Sequence, residues 1–173
     1  MTLAAQQASS APVPLQAVTV TIPQKPLRDA LNRVTRIIPN RGANPGLTLA
    51  QIEIEPGRLT IKGTSIEASI QVSLEAEATG AATLAVFAAP LQQIINNAPG
   101  EDITLKADGK ELQIASGTYK TRLQLVEANS APQITFPTGL PGTTTAETLT
   151  KLLDSTRFAA AVADFQAVFR GVL

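Results

Sequence analysis

Hydrophobic residues near the start of the chain follow two different periods. Val18, Val20 and Ile22 alternate with other residues, which predicts a strand with one buried face. Pro26 suits the first turn of a following helix, where a missing N–H costs little, and Pro39 should end that helix. The apolar residues between the two prolines recur at the spacing of one helical face: Leu27, Ala30, Leu31, Val34 and Ile38.

The same order of elements then continues and repeats. Residues 47–78 predict three strands with alternating apolar positions, and after them come a strand, a short helix and three more strands. The turns within the two groups of three strands are predicted at Gly57, at the segment KGTS (residues 62–65), at Gly109 and at Gly117.

Short sequence matches indicate that this order is an internal duplication. The segment KPLRDAL matches APLQQII, which pairs Pro26 with Pro90 and Leu27 with Leu91, and GRLTIKGTSIEASIQV matches KELQIASGTYKTRLQL. One copy offers only a small helix and one face of a small sheet, so two copies would bury those faces together. The expected fold class is therefore α+β, a duplicated β-α-β-β-β unit with two helices packed on antiparallel sheet.

Changes in composition divide the chain further. We expect a disordered tail, a first domain, a linker rich in Pro, Gly and Thr, and the truncated start of a second domain: residues 1–17, 18–138, 139–146 and 147–173. A third helix in the last segment would carry Leu149, Leu152, Leu153 and Thr156 on one face. Either Thr144 or Thr145 would cap it, and its last residues, FQAVFRGVL, alternate like the edge of a sheet.

Composition removes several classes of function. The chain has no cysteine and no histidine, so disulfides, thiol nucleophiles, the usual zinc and iron sites and the usual neutral-pH general base are absent. Glu53 and Glu55 share one strand face, but such alternating acids are more typical of a solvated surface than of an acid–base pair. We predict no catalytic residue, no metal and no cofactor. No signal peptide and no membrane span is predicted. The lack of cysteine fits a cytoplasmic protein in a reducing environment.

The first predicted helix concentrates positive charge in a chain that is neutral overall, with 14 basic and 14 acidic residues. Residues 23–41 hold a single acid, Asp29, against five cations: Lys25, Arg28, Arg33, Arg36 and Arg41. Arg28 and Arg36 are two helical turns apart with Asn32 between them, which predicts a basic stripe opposite the apolar face. Such a stripe suits backbone phosphates, although a merely solvated helix face would have the same composition. The matching second helix carries only neutral amides.

The order and wording of these segments resemble the bacterial DNA polymerase III beta subunit, the sliding clamp. The resembling segments cover about residues 18–173: TVTIPQKPLRDALNRVTRIIPNRGANP, LTIKGTSIEASIQVSLEAE, LAVFAAPLQQIINNAPGEDITL, LQIASGTYKTRLQL and FQAVFRGV. The resemblance implies the DNA-clamp fold and, for the intact family, a head-to-tail homodimer ring around double-stranded DNA. It also implies partners in the DNA polymerase III catalytic subunit and the clamp loader, with no membrane contact.

The same resemblance implies roles for single residues. Arg41 matches a loop arginine that touches DNA in the family, and Arg28, Arg33 and Arg36 match positions on the inner helix that are often basic. A DNA-contacting glutamine of the family falls at Ala163 in this chain. Only the first edge of the family's pocket for partner peptides is expected, near Gln166, Val168 and Phe169.

Three hypotheses follow from the sequence. The leading one is a DNA sliding clamp that confers processivity on the replicative polymerase, here truncated and without chemistry of its own. The alternative is a degenerate clamp-like protein-interaction module that binds or regulates an intact clamp. An enzyme of unknown type is the third, and the lack of any site residue argues against it.

Overall fold

The structure, a computed structural model, describes residues 17–40, 44–65, 67–136 and 142–158. The chain divides into two compact units, residues 1–136 and 137–173, which are described separately below. Most of the predicted tail and the final segment FQAVFRGVL lie outside the described residues.

The first unit contains two successive β-α-β-β-β segments, as the duplication predicts. The elements of the first half, with one extra short strand at its end, are β1 (Val18–Pro23), α1 (Gln24–Val34), β2 (Leu49–Glu55), β3 (Arg58–Thr64), β4 (Ser69–Glu75) and β5 (Glu77–Ala78). A 3-10 helix, Pro45–Thr48, precedes β2. The elements of the second half are β6 (Ala82–Phe87), α2 (Ala88–Asn97), β7 (Asp102–Ala107), β8 (Glu111–Ser116) and β9 (Tyr119–Gln124). A second 3-10 helix, Ala128–Ser130, follows β9.

The strand before each helix belongs to the sheet of the other half. One sheet has the order β4-β3-β2-β6 and the other has the order β5-β1-β7-β8-β9, with antiparallel pairing throughout. Val20 of β1 lies opposite Leu105 of β7, and Ile52 of β2 lies opposite Leu84 of β6. The two halves therefore share their sheets, and neither sheet is complete without a strand from the other half.

The core is aliphatic and lies between the helices and the inner faces of both sheets. The predicted apolar residues of α1 are buried, as are Leu91 and Ile95 of α2, and Leu31 and Ile95 have no exposed surface at all. Burial of one such side chain contributes about 1.5–3 kcal/mol. The side-chain amide of Gln24 donates to the carbonyl of Ile95 at 2.9 Å, which ties the start of α1 to α2.

Two details of the first half differ from the sequence prediction. Helix α1 ends at Val34, earlier than Pro39, and the chain continues as a turn in which the N–H groups of Ile37 and Ile38 donate to the Val34 carbonyl. Ile38 is nevertheless buried in the turn that follows. The predicted turn at KGTS is also wrong, since β3 continues to Thr64 and Gly63 lies within it. A glycine is needed there because Ile38 packs directly against it.

The second unit contains one described helix, α3 (Ala146–Arg157). Its N-cap is Thr145, which is one of the two residues predicted for this position. The Thr145 hydroxyl accepts a hydrogen bond from the Thr148 N–H at 3.2 Å. The predicted apolar face is exposed, with Leu152 at 58%. In the parts of the chain that the structure describes, no helix is long and apolar enough to cross a membrane.

Candidate nucleic-acid interface

Four of the five predicted cations lie on or just after α1. Lys25, Arg33 and Arg36 are exposed, and Arg28 is half-buried. Arg36 lies in the turn after the helix end, so it is not two regular helical turns from Arg28 as the sequence predicts. Arg41 lies outside the described residues.

The cations of α1 form two rows and not the single predicted stripe. Lys25, Asp29 and Arg33 follow one another at four-residue spacing along one side of the helix. They border an open groove of about 320 Å³ whose far wall is Val72 and Leu74 of β4. The only acid of the segment therefore lies between two of its cations, which lowers the net charge of this row.

The second row contains Arg28 and, one turn later, Asn32, and it borders α2. The side-chain oxygen of Asn32 accepts hydrogen bonds from the amide of Gln92 at 2.8 Å and from that of Asn96 at 3.3 Å. These contacts leave the amide nitrogen of Asn32 as a donor beside Arg28. The sequence predicts neutral amides on α2, but it does not predict that one asparagine would connect the two helices.

The cations on and just after α1 remain available to bind an anion, because none of them is held in an ion pair among the described residues. Among the residues that the structure describes, neither Lys25 nor any of the three arginines forms a salt bridge or a side-chain hydrogen bond. The salt bridges that do form lie elsewhere: Lys62 with Glu53, Arg122 with Glu111, and Lys151 with Glu147. A guanidinium without an internal carboxylate can donate two parallel hydrogen bonds to a phosphate. The arrangement suits backbone phosphates, and helices α1 and α2 themselves carry no aromatic side chain for stacking on bases.

Comparison with known proteins identifies relatives of the chain. Residues 18–135 match the family described as the DNA polymerase III beta subunit, N-terminal domain. A beta sliding clamp of Streptomyces coelicolor is 25% identical over 146 residues, which is 84% of this chain and 39% of that protein.

Solved structures with the same fold include further clamps. The beta subunit of DNA polymerase from Streptococcus pyogenes has a TM-score of 0.80 at 21% identity, covering 87% of this chain and 42% of that one. The sliding clamp of Bartonella birtlesii, solved with griselimycin bound, has a TM-score of 0.74 at 25% identity, covering 87% and 41%. The chain thus spans about two-fifths of the length of these relatives, and the predicted clamp fold is confirmed.

Proposed function

This chain belongs to the DNA polymerase III beta subunit family, whose N-terminal domain matches residues 18–135, and on that premise we propose that it serves as part of a DNA sliding clamp. In this role α1 faces duplex DNA and contacts backbone phosphates without reading base sequence. The clamp encircles the duplex and confers processivity on the replicative polymerase in the cytoplasm. The chain itself performs no chemical step and acts as a processivity factor.

The observation that carries this proposal is the set of cations on and just after α1 that have no ion-pair or hydrogen-bond partner within the described part of the chain. Lys25, Arg28, Arg33 and Arg36 are the contacts we assign to DNA, and Arg41, which lies outside the described residues, is a fifth on the basis of the family resemblance. In the intact family the same surface lines a homodimer ring, with the DNA polymerase III catalytic subunit and the clamp loader as protein partners. For this chain, ring formation and both partners are proposals.

The test is the salt dependence of DNA binding. Fluorescence anisotropy of a labelled duplex is titrated with the chain at several salt concentrations, for the wild type and for a variant with Lys25→Gln, Arg28→Gln, Arg33→Gln and Arg36→Gln. Each phosphate contact that is lost lowers the slope of log K against log salt by about 0.9. A separate Arg41→Gln variant tests the loop arginine.

A matched control changes cations on another surface. The variant Lys106→Gln, Lys120→Gln, Arg122→Gln also removes several positive charges, but from strands of the second half. We expect its salt slope to equal that of the wild type. An unchanged slope in the α1 variant, or an equal reduction in both variants, would show that α1 is not a specific phosphate surface.

A further inference from the structure

The outer face of the five-stranded sheet, on the side away from the helices, carries an open groove of about 550 Å³. The side chains used below come from β7, β8 and β9: Thr104, Lys106, Gln113, Ala115, Lys120 and Arg122. We call this feature the outer groove. Because strand residues alternate between faces, these side chains point away from the buried Leu105 and Ile114.

Strand register brings three cations together across the outer groove. Lys106 lies opposite Gln113, and Gln113 lies opposite Arg122 on the next strand. Lys120 is two residues before Arg122 on the same strand and face. Within the described residues, Lys106 and Lys120 have no salt bridge, so the groove holds an excess of positive charge.

Protection of a sheet edge explains only part of this charge. Cations on an edge strand are a common defence against strand pairing, and β9 is such an edge. Lys106, however, belongs to β7, which is bonded to a strand on either side. On the same outward face, Glu111 pairs with Arg122, whereas Lys106 and Lys120 have no such partner among the described residues, so the lining of the groove keeps positive charge that no acid neutralises.

The geometry favours an extended ligand with carboxylates. Lys120 and Arg122 are spaced by two residues, about 6.7 Å, which is also the spacing of alternate side chains along an extended peptide. Between the cationic strands, the small side chains of Ala115 and Thr104 leave room for a backbone to approach. No aromatic residue lines the groove, which disfavours single-stranded nucleic acid because its bases need a stacking partner.

Arg122 already holds a carboxylate at the border of the groove. Its guanidinium lies 3.4 Å from the carboxylate of Glu111, and its side chain remains 74% exposed. Such an exposed, long ion pair is weak and exchanges readily for a better one. We propose that the outer groove binds an extended acidic segment of a partner protein, with acidic residues at every second position. This site is separate from the DNA surface on α1 and does not depend on it.

The test uses a short synthetic peptide with glutamate at every second position, threonine between them and a fluorescent label. The fluorescence anisotropy of the peptide is titrated with the wild type and with two triple variants. The groove variant carries Lys106→Gln, Lys120→Gln and Arg122→Gln together. The charge-matched control variant carries Lys25→Gln, Arg28→Gln and Arg33→Gln together. We expect the groove variant to bind the peptide about ten-fold more weakly, with the control variant unchanged. Circular dichroism verifies that both variants are folded, since all the altered side chains are exposed or half-buried.

Three results would overturn the proposal. The first is absence of saturable peptide binding by the wild type, and the second is equal binding of a peptide with glutamine in place of glutamate. The third is loss of duplex DNA binding in the groove variant without loss of peptide binding, which would make the groove a phosphate surface. Because the peptide titration contains no DNA, its failure leaves the DNA proposal for α1 unaffected.

Discussion

Substitution of Gly63 by alanine tests how α1 is held against β3. A Cβ atom at Gly63 would lie 2.7 Å from both Cδ1 and Cγ1 of Ile38 and 2.7 Å from Cγ1 of Val34. Carbon atoms in contact prefer at least about 3.5 Å, so the end of α1 must move by about 0.8 Å or the side chains must leave their rotamers. Overpacking of this kind costs about 1–3 kcal/mol, and we expect about 2 kcal/mol for Gly63→Ala.

Urea unfolding followed by circular dichroism measures this cost as a lower midpoint at unchanged slope. Gly142→Ala is the control, because no atom of the described residues lies within 4 Å of a Cβ atom added there. Ile38→Ala removes two of the three contacted atoms, so Gly63→Ala should cost at least about 0.5 kcal/mol less in that background than in the wild type. If Gly63→Ala is as mild as Gly142→Ala, or if the two substitutions are additive, then close packing does not explain the glycine.

Three further outcomes follow from the structure. Asn32→Ala leaves the half-buried Gln92 amide without its acceptor and should destabilise the first unit by about 1 kcal/mol in urea unfolding. A loss of stability near zero would mean that this hydrogen bond does not hold α1 against α2. Leu91→Ala, at a position that is 1% exposed, should cost about 2–5 kcal/mol, and a cost below about 1 kcal/mol would contradict its place in the core. The backbone N–H of Glu111 donates to the Asp108 carboxylate and lowers the pKa of that group below its usual 3.8. The stability that this bond contributes is present above pH 3.8 and is lost as the pH falls. The wild type should therefore be more stable than Asp108→Asn at neutral pH and should lose that difference in acid. Thermal unfolding of both proteins at each pH measures the difference.

Much of the fold could be predicted from the sequence because the elements are short and strongly periodic. Val18, Val20 and Ile22 alternate and are buried as expected, and α1 buries the face that its apolar spacing predicts. The turn at Gly57 also follows from the sequence, since its φ of 83° is a conformation that favours glycine. Gly63 could not be interpreted in the same way, because its role depends on Ile38, which reaches it only through tertiary packing.

The candidate site could be predicted in composition but not in arrangement. Helical spacing identifies the exposed cations, yet it places Arg36 on the helix, because the apolar period continues to Ile38 although the helix itself ends at Val34. The link from Asn32 to Gln92 is equally invisible in the sequence, since the two residues are 60 positions apart. Long-range pairing of polar side chains leaves no periodic signal, and this is why the interface between the helices had to come from the structure.

Duplication accounts for the difference between the two helices. Both must bury an apolar face against shared sheets, so Leu27 in α1 and Leu91 in α2 are under the same packing constraint. Their outward faces are not under that constraint, because removing a charge from an exposed position changes stability little. Arg28 in one copy corresponds to Gln92 in the other, and the amide of Gln92 bonds Asn32. On this proposal α2 positions α1, and α1 alone supplies the charge that meets phosphate.

Introducing a cation with Gln93→Lys on α2, where the side chain is exposed, should therefore steepen the salt dependence of DNA binding by about 0.9 without loss of stability. An unchanged slope would mean that α2 does not face the duplex.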